Sequence, residues 1–354
     1  MMSPLGEKRS RRGALSGLAA AALFGLSTPL AKLLLGSLPP VLLAGLLYLG
    51  AAAGLWLHRA VAGAGKEAPL VREDVPKLAG VVLAGGVVAP VLMLFGLQRV
   101  SALGGSLLLN LEAPLTVLLA VLVFSEHLGR YAAAASGLIL IGALILKVQP
   151  GEFRADGVGI LLIALACGAW ALDNNLTQRL SLRDPFAVVR VKTLVAGVVN
   201  GGLGLAVSQH AIPSARYLVL ALLLGSVSYG VSVVLDAYAL RLVGAAREAA
   251  YFATAPFVGA IFSLVLHREP LRLLDVAAMV SMGLGVLLLL RERHGHVHAH
   301  EALEHEHLHE HDEHHRHSHG PHDPPGEPHT HRHRHVHLVH DHPHVPDAHH
   351  RHEH

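Results

Sequence analysis

Residues 98–126 read QRVSALGGSLLLNLEAPLTVLLAVLVFSE, and residues 241–269 read RLVGAAREAAYFATAPFVGAIFSLVLHRE. Each stretch opens on a charged or polar turn, continues as an apolar run long enough to cross a bilayer as a helix, and ends in a glutamate. Within the runs, Glu112 to Pro114 aligns with Thr254 to Pro256. The two stretches are interpreted as copies of one transmembrane helix, which predicts a duplicated membrane protein.

Apolar stretches of similar length continue on both sides of this pair. Ten spans are predicted, near 13–35, 40–58, 78–97, 102–124, 131–148, 157–180, 186–207, 217–240, 245–267 and 273–290. The expected fold is an all-α integral membrane protein of ten transmembrane helices in two repeats, followed by a disordered tail. The predicted segments are an N-terminus at 1–12, repeats at 13–148 and 149–293, and the tail at 294–354. Because five spans per repeat is an odd number, the second repeat must be inverted relative to the first.

The charge distribution predicts the orientation in the bilayer. Hydrophobic residues make up 52% of the chain and the mean hydropathy is +0.46, values typical of a membrane protein. If the N-terminus is cytoplasmic, fifteen basic residues lie at the inner ends of the spans and seven at the outer ends. Both termini are therefore expected in the cytoplasm, with the first span retained as an uncleaved helix.

Histidine dominates the last part of the chain. Residues 294–354 hold 25 of the 29 histidines, mostly as His-x-His, with almost no apolar content. Such a segment is expected to be disordered and to bind Zn²⁺, Ni²⁺ or Co²⁺. The predicted ligands are His296, His298, His300, His305, His307, His309, His314, His315, His317, His319, His331, His333 and His335. The tail could deliver or sense a transported metal, buffer metal or regulate a metabolite exporter, or have no physiological use.

Glu112 is the clearest candidate for a transport residue. A charge in the middle of a span costs about 2.5–3.5 kcal/mol on insertion scales, so it usually faces protein or water. Pro114 frees a backbone carbonyl near Asn110, which would place a carboxylate and an amide at a loosened turn. The alternative is that Glu112 is neutralised by a partner such as Lys32 and only holds helices together.

A second polar cluster interrupts the sixth span. Asp173, Asn174 and Asn175 point about 100° apart on a helix, so at least one must face the interior. The cluster aligns with residues 27–29 of the first span, so both repeats are expected to weaken the same helical position. The remaining substrate-binding candidates are Lys32, which could instead reach the headgroups, and Tyr251 with Thr254. The predicted hinges are Pro29, Pro114 and Pro256.

The chain resembles the EamA family of the drug/metabolite transporter superfamily. The resemblance covers residues 13–290 and is carried by LLLNLEAP at 107–114, AAYFATAP at 249–256, and the downstream glutamates Glu126 and Glu269. WALDNNLT at 170–177 and the His-rich tail resemble a bacterial subset. The resemblance implies ten helices in an inverted repeat, location in the bacterial inner membrane, cytoplasmic termini, and export of metabolites or drugs. Two departures are Thr254 opposite Glu112, and the absence of the Gly-Glu that commonly closes these spans.

The leading hypothesis is a secondary transporter that exports small metabolites or drug-like solutes. The alternatives are a divalent metal transporter that uses the tail, and a membrane metal sensor or buffer without transport activity. No Walker loop, HExxH or Ser/His/Asp arrangement indicates an enzyme, and no motif requires a cofactor. The expected partners are the lipid bilayer, a small-molecule substrate and metal ions at the tail, with no nucleic acid. The sequence does not separate a monomer from a homodimer.

Overall fold

The computed structural model describes residues 4–63, 68–124, 129–148, 156–180, 183–207, 213–243 and 245–290, together with four backbone segments of the tail. Outside the tail the regular structure is helical. The helices are α1 (Pro4–Gly25), α2 (Ser27–Leu34), α3 (Pro40–Ala62), α4 (Val75–Val81), α5 (Ala89–Arg99), α6 (Ala102–Leu108), α7 (Glu112–Phe124), α8 (Arg130–Lys147), α9 (Gly157–Gln178), α10 (Pro185–Val207), α11 (Ala215–Gly225), α12 (Ser232–Val243), α13 (Ala245–Phe252), α14 (Ala255–Leu266) and α15 (Leu273–Leu289).

These helices form ten apolar rods within the described residues, which confirms the predicted number of spans. Spans 1 to 9 are Arg11–Leu34, Pro40–Val61, Arg72–Arg99, Ala102–Val123, Arg130–Lys147, Gly157–Gln178, Pro185–Val207, Ala215–Ala239 and Glu248–Leu266, and the shorter helix Leu273–Leu289 is span 10. Many large apolar side chains point outward along these rods, among them Leu122, Val265 and Leu273. Such an apolar surface is stable against lipid and not against water. The chain is a multi-pass membrane protein.

The packing of the spans has the symmetry of an inverted repeat. Spans 2 and 7, 4 and 9, and 5 and 10 pack against one another, and each of these pairs joins equivalent helices of the two halves. Span 1 packs on span 8 as span 3 packs on span 6, and span 1 contacts span 9 as span 6 contacts span 4. These pairings map onto one another when spans 1–5 are exchanged with spans 6–10. This arrangement agrees with two copies related by a pseudo-twofold axis.

Both third spans contain a π-helical segment. Val82–Val88 interrupts span 3 and Ser226–Val231 interrupts span 8. The last residues of these segments, Val88 and Val231, are 143 positions apart, which is also the offset between the first residues, and between the last residues, of the stretches 98–126 and 241–269; the proline segments within the stretches are offset by 142. A π-turn breaks the regular backbone hydrogen-bond pattern and leaves carbonyls for other partners. The irregular backbone therefore occurs at the same place in both repeats.

Glycine permits close contact between the two repeats. A Cβ atom on Gly45 of span 2 would lie 2.2 Å from the Gly201 nitrogen of span 7, and one on Gly204 would lie 2.5 Å from the Leu42 Cα. In spans 5 and 10, Gly142 approaches Met282 in the same way. Backbones this close are typical of small-residue interfaces between membrane helices. Gly197 and Gly201 belong to this interface, since a Cβ on Gly197 would lie 2.8 Å from the Leu49 nitrogen of span 2.

Side chains join several spans at one end of the bundle, called here the Glu269 end and comprising residues 35–39, 97–103 and 267–272. Glu269 accepts hydrogen bonds from the Ala102 and Leu103 backbone nitrogens, at 2.7 and 3.0 Å, and so caps span 4. His267 Nε2 donates to the Pro29 carbonyl at 2.9 Å. These contacts connect span 9 with spans 1 and 4.

We expect Glu269→Gln to destabilise the Glu269 end. The substitution removes the negative charge that faces two free N–H groups at a helix N-terminus, where a carboxylate contributes about 0.5–2 kcal/mol. Thermal unfolding in detergent should show a lower apparent Tm, while Glu73→Gln, at an exposed residue, should leave it unchanged. Equal midpoints for both variants would mean that the cap does not stabilise the bundle.

Ion pairs lie at both ends of the bundle. At the Glu269 end, Asp156 caps span 6 and pairs with Arg99 at 2.9 Å, and the Arg99 hydrogen bond holds the pKa of the Asp156 carboxyl below its usual range. At the opposite end, called here the Arg183 end and comprising residues 68–74 and 183–184, Arg183 Nε lies 2.8 Å from Asp74 Oδ2. The Asp184 backbone nitrogen donates to the Ala68 carbonyl there.

The described part of the tail consists of four strands, for which the structure gives the backbone. They are β1 (His294–His300), β2 (Glu304–His309), β3 (His329–Arg334) and β4 (Leu338–His344). β1 pairs antiparallel with β4 and β2 with β3, and the register places histidine opposite histidine, as in His296↔His342 and His307↔His331. The prediction of a disordered tail did not include these strands. Alternation of His with other residues has the two-residue period of extended backbone, whereas composition alone suggested no regular structure.

Candidate functional site

A buried ion pair lies between spans 6 and 7. Asp173 Oδ2 is 2.8 Å from Lys192 Nζ, and the Asp173 side chain is only 3% exposed. Thr177, one turn further along span 6, donates its hydroxyl proton to Asp173 Oδ1 at 3.1 Å. Both carboxylate oxygens are thus hydrogen-bonded, as a charge needs to be when it is removed from water.

Glu112 of span 4 lies beside this pair. Its Oε1 atom accepts a hydrogen bond from Asn174 Nδ2 at 2.7 Å, and the charges of Asp173 and Lys192 both act on it. Glu112, Asp173, Asn174, Thr177 and Lys192 are called here the central cluster. Asn174 is exposed whereas Asp173 is buried, so the cluster extends from the packed interior to an accessible surface. It contains two carboxylates, one ammonium, an amide and a hydroxyl.

The local backbone around Glu112 follows from its sequence. Residues Leu109–Leu111 form a 3-10 turn, and regular α-helix resumes at Glu112. Pro114 has no N–H to donate, so the preceding turn cannot keep the full α-helical ladder. The interruption sets Glu112 at the first turn of α7, facing span 6.

Span 6, in contrast, is one continuous helix from Gly157 to Gln178, so the predicted interruption at residues 173–175 is wrong. The polar side chains are accommodated without a break because they bond locally. Asn175 Nδ2 donates to the Ala171 carbonyl one turn earlier, and Thr177 bonds Asp173. Span 1 does have an irregular residue at the aligned position, at Leu26 between α1 and α2.

The π-helical segment of span 3 forms one wall of the central cluster. Tyr48 Oη and Trp170 Nε1 both donate to the Gly85 carbonyl, at 2.7 and 3.2 Å. Asn200 Nδ2 lies 3.3 and 3.2 Å from the next two carbonyls. A Cβ on Gly85 would lie 1.9 Å from Asp173 Oδ2. Glycine is therefore required where the π-helix approaches the ion pair.

An equivalent but uncharged arrangement exists in the other half. Tyr229, in the π-helical segment of span 8, bonds the Ser27 hydroxyl at 3.3 Å and meets the Phe24 ring edge-on. Phe24 and Ser27 align with Trp170 and Asp173. Tyr229 also lies 6.1 Å from the Tyr48 ring, so the two halves meet at this aromatic pair. Asp173 of the second repeat is thus the charged counterpart of Ser27, and Glu112 of the first repeat is the charged counterpart of Thr254.

Three of the predicted substrate-binding residues point elsewhere. Asn110 bonds the Leu107 carbonyl and approaches Met282 Sδ of span 10 at 3.8 Å. Asn175 is directed at the Thr116 carbonyl of span 4, at 3.3 Å. Lys32 donates to the Leu97 and Val100 carbonyls at the Glu269 end, so it is not the partner of Glu112. Each of these side chains donates to a backbone carbonyl, and those of Lys32 and Asn110 do so at a helix end or bend.

Tyr251 and Thr254 form the uncharged counterpart of the Glu112 segment. The Thr254 hydroxyl bonds the Tyr251 carbonyl at 2.7 Å, and the Tyr251 ring packs against Gly17 of span 1. The helix breaks at residues 253–254, two residues before Pro256. Regular helix is also interrupted at Leu26, before Pro29, and at Leu109–Leu111, before Pro114. A break therefore precedes each predicted hinge proline. Whether these positions flex stays a prediction.

Sequence reasoning missed several members of the site. Lys192 is a charge well inside span 7, and the insertion cost that singled out Glu112 applies to it equally. Thr177 lies one turn from Asp173 on the same face of span 6. Tyr48 and Trp170 carried no signal in the sequence, because their role depends on a π-helix that no residue pattern indicated.

Comparison with known proteins agrees with this architecture. The EamA-like transporter family matches residues 11–148 and 157–291, which are the two repeats. The chain belongs to this family. An "Uncharacterized transporter" of Methanothermobacter thermautotrophicus is 31% identical over 287 residues, which cover 76% of this EamA chain and 83% of the relative. One solved crystal structure has a TM-score of 0.59 at 18% identity, covering 78% of this chain and 96% of that one, which shows a shared fold.

The described spans of this EamA-like transporter do not contain three or more His, Cys, Asp or Glu side chains grouped to hold a metal ion. Among the predicted metal ligands, His314, His315, His317, His319 and His335 lie outside the described residues. The others are in β1 to β3, where the structure gives the backbone alone.

Proposed function

We propose that this EamA-like protein is a secondary transporter that exports small polar metabolites across the bacterial inner membrane, with both termini in the cytoplasm. The observation that carries the proposal is the central cluster, where Glu112 and the Asp173–Lys192 pair are joined inside the bundle. Ionisable groups within spans are costly and usually mark a substrate or ion pathway. The excess of basic residues at the inner ends of the spans supports the orientation.

The chemistry of the cluster favours polar substrates over apolar drugs. Carboxylate, ammonium, amide and hydroxyl groups within one site can replace the hydration shell of a polar solute. A site of this kind is suited to a substrate that exchanges hydrogen bonds with Asn174 and Glu112, since Asn174 is exposed. The cluster joins span 4 of the first repeat to spans 6 and 7 of the second, so rocking of the repeats would open it to alternate sides.

The test begins with ligand-induced stabilisation of the purified chain. A ligand that binds the native state stabilises it by RT ln(1 + L/Kd), where L is the free ligand concentration, so the apparent Tm rises with ligand concentration. Polar metabolites would be screened this way, and those that stabilise the protein would be loaded into proteoliposomes to measure counterflow. Stabilisation and saturable counterflow of the same compound support the proposal. Counterflow no greater than in empty liposomes for every stabilising compound would overturn it.

We expect Glu112→Gln to reduce counterflow at least tenfold without unfolding the protein. The amide keeps the shape of the side chain and a contact with Asn174, but it removes the charge that acts with Asp173 and Lys192. A tenfold loss corresponds to about 1.4 kcal/mol, the scale of one charge-assisted hydrogen bond. The matched control is Asn110→Ala two residues earlier, which faces Met282 and should transport normally.

The tail is proposed to bind divalent transition metals without forming the transport pathway. The register places histidine opposite histidine at several steps of both strand pairs. Opposed residues of an antiparallel pair lie about 4.5–5.5 Å apart, a spacing that suits two imidazoles on one ion.

Equilibrium dialysis with Zn²⁺ should therefore show several ions bound per full chain, and far fewer for a chain ended at Arg293. Both chains should give the same metabolite counterflow, and neither should carry Zn²⁺ into proteoliposomes. Zn²⁺ flux that depends on Glu112 would make the protein a metal carrier instead.

A further inference from the structure

The second repeat holds a carboxyl pair outside the central cluster. Asp236 on α12 and Glu248 on α13 face each other where these two helices pack, with their carboxyl groups within hydrogen-bonding reach. An ionised carboxylate can only accept hydrogen bonds, so a bond between the two requires a proton on one of them. A pair in this arrangement can hold one exchangeable proton between spans 8 and 9.

One oxygen of the pair and one hydroxyl beside it are buried without a hydrogen-bond partner among the described residues. Neither Asp236 Oδ1 nor Ser232 Oγ has a hydrogen-bond partner among the residues that the structure describes. Ser232 is fully buried and lies one turn before Asp236, on the same face of α12. Buried polar atoms are nearly always hydrogen-bonded, so two such atoms at one place indicate a site for a water molecule or a hydrated proton.

The carboxyl pair lies at the Arg183 end of the bundle. Successive spans run in opposite directions, so the connection between spans 8 and 9 is at the same end as that between spans 6 and 7. His58, whose ring contacts Phe186 at the start of span 7, also reaches Tyr238 on α12 with a 3.4 Å contact. This end carries most of the basic residues and is the cytoplasmic end in the proposed orientation.

One helix connects the pair to the centre of the protein. Ser232 directly follows the π-helical segment Ser226–Val231, whose Tyr229 touches Ser27 and Tyr48. Asp236 is two turns beyond Tyr229, about 10 Å along the helix axis. Movement of span 8 would therefore affect both the aromatic contact at the centre and the carboxyl pair.

Packing of the repeat does not require these acids. With the offset of 143 residues that superimposes the π-helical segments, Asp236 corresponds to Met93 and Glu248 to Gly105. Met93 and Gly105 are both buried and apolar. The first repeat thus builds the equivalent contact without a titratable group, so the acids are a specialisation of the second repeat.

Few described charges surround the pair. At this level span 8 packs on α1, on α13 and on the end of α3, whose His58 reaches Tyr238. The described titratable side chains there are Tyr229 and Tyr238 on span 8, Tyr251 on α13, His58 and Arg59 on α3, and Arg11 and Arg12 on α1. Arg11 and Arg12 are exposed. The side chains of Glu7, Lys8, Arg9, Arg241 and Arg247 belong to the same elements but lie outside the described residues.

We propose that Asp236 and Glu248, with Ser232 beside them, bind the proton that drives transport, while the central cluster binds the substrate. This assignment rests on the proposed function. Separation of spans 8 and 9 would admit water to the pair, the shared proton would pass to a water molecule, and two hydrated carboxylates would remain. Closure would return a proton from water to one carboxylate and restore the hydrogen bond.

Infrared spectroscopy of the full chain in lipid tests the shared proton directly, without a substrate. The C=O band of a protonated carboxyl, identified by its shift in D₂O, should be present at neutral pH. One component of it should disappear in both Asp236→Asn and Glu248→Gln and persist in Glu269→Gln. A band unchanged in both variants would overturn the proposal. Loss in only one of them would also do so, because the proton would then belong to a single group.

Flux measurements test whether that proton is coupled to transport. With a compound that gives counterflow, a pH gradient should drive accumulation of that compound in proteoliposomes that contain the native chain. In Asp236→Asn this accumulation should be at least tenfold smaller, while exchange of the compound at equal pH continues. Accumulation that survives in the variant, or that follows a sodium gradient instead, would overturn the assignment. Absence of any counterflow in the native chain would overturn the proposed function but leave the infrared result interpretable.

Discussion

Asp173→Asn is expected to abolish counterflow and to lower the apparent Tm by roughly 5–10 °C. The substitution removes the carboxylate that lies 2.8 Å from Lys192 and leaves a largely buried ammonium with a neutral neighbour. Breaking a buried ion pair by removing one partner costs about 3–5 kcal/mol. The lower part of this range is expected, because the Glu112 charge still acts in the cluster. Thermal unfolding and counterflow of the same preparation measure the two effects.

The double variant Asp173→Asn, Lys192→Met separates stability from transport. Replacement of both members of a buried pair by neutral groups is often close to neutral in stability. The double variant should therefore regain most of the lost Tm while counterflow remains absent. If it is no more stable than Asp173→Asn, the two side chains are not energetically coupled. If it transports normally, the pair is outside the substrate pathway.

Gly45→Ala is expected to prevent the close packing of spans 2 and 7. The new methyl group would lie 2.2 Å from the Gly201 nitrogen and 2.5 Å from its Cα, and neither backbone atom can move without displacing a helix. Overpacking of this kind costs about 1–3 kcal/mol and occasionally more. A lower apparent Tm and a smaller folded fraction on size-exclusion chromatography are the expected results.

Gly202→Ala, on span 7 next to Gly201, is the matched control. A Cβ at this position meets no atom within 4 Å, and alanine favours a helix over glycine by up to about 1 kcal/mol. The control should be at least as stable as the native chain, so the two glycine-to-alanine changes should have opposite signs. A Gly45→Ala variant that behaves like Gly202→Ala would show that the helices can separate without loss.

The number of spans and the duplication could be predicted from the sequence because both depend on local patterns. An apolar run of sufficient length specifies a span wherever it occurs, and the aligned Pro114 and Pro256 segments identify the copies. The central cluster was predicted only in part. Glu112, Asp173 and Asn174 are charged or polar side chains inside apolar runs, and this contrast is visible in the sequence.

The remaining site depends on which helices are neighbours. Asn110 and Lys32 were also predicted to bind substrate, but each bonds a backbone carbonyl at a helix bend or end. Lys192 became a site residue only when span 7 was placed against span 6. The pairing of spans follows from tertiary packing, and one sequence carries no direct signal for it.

The matching π-helical segments also bear on the origin of the protein. A π-turn accommodates one more residue than an α-turn, so Val82–Val88 and Ser226–Val231 each correspond to an α-helix with a single inserted residue. Independent insertions at the same aligned position would be a coincidence. We infer that the inserted residue was already present in the five-helix unit when that unit was duplicated.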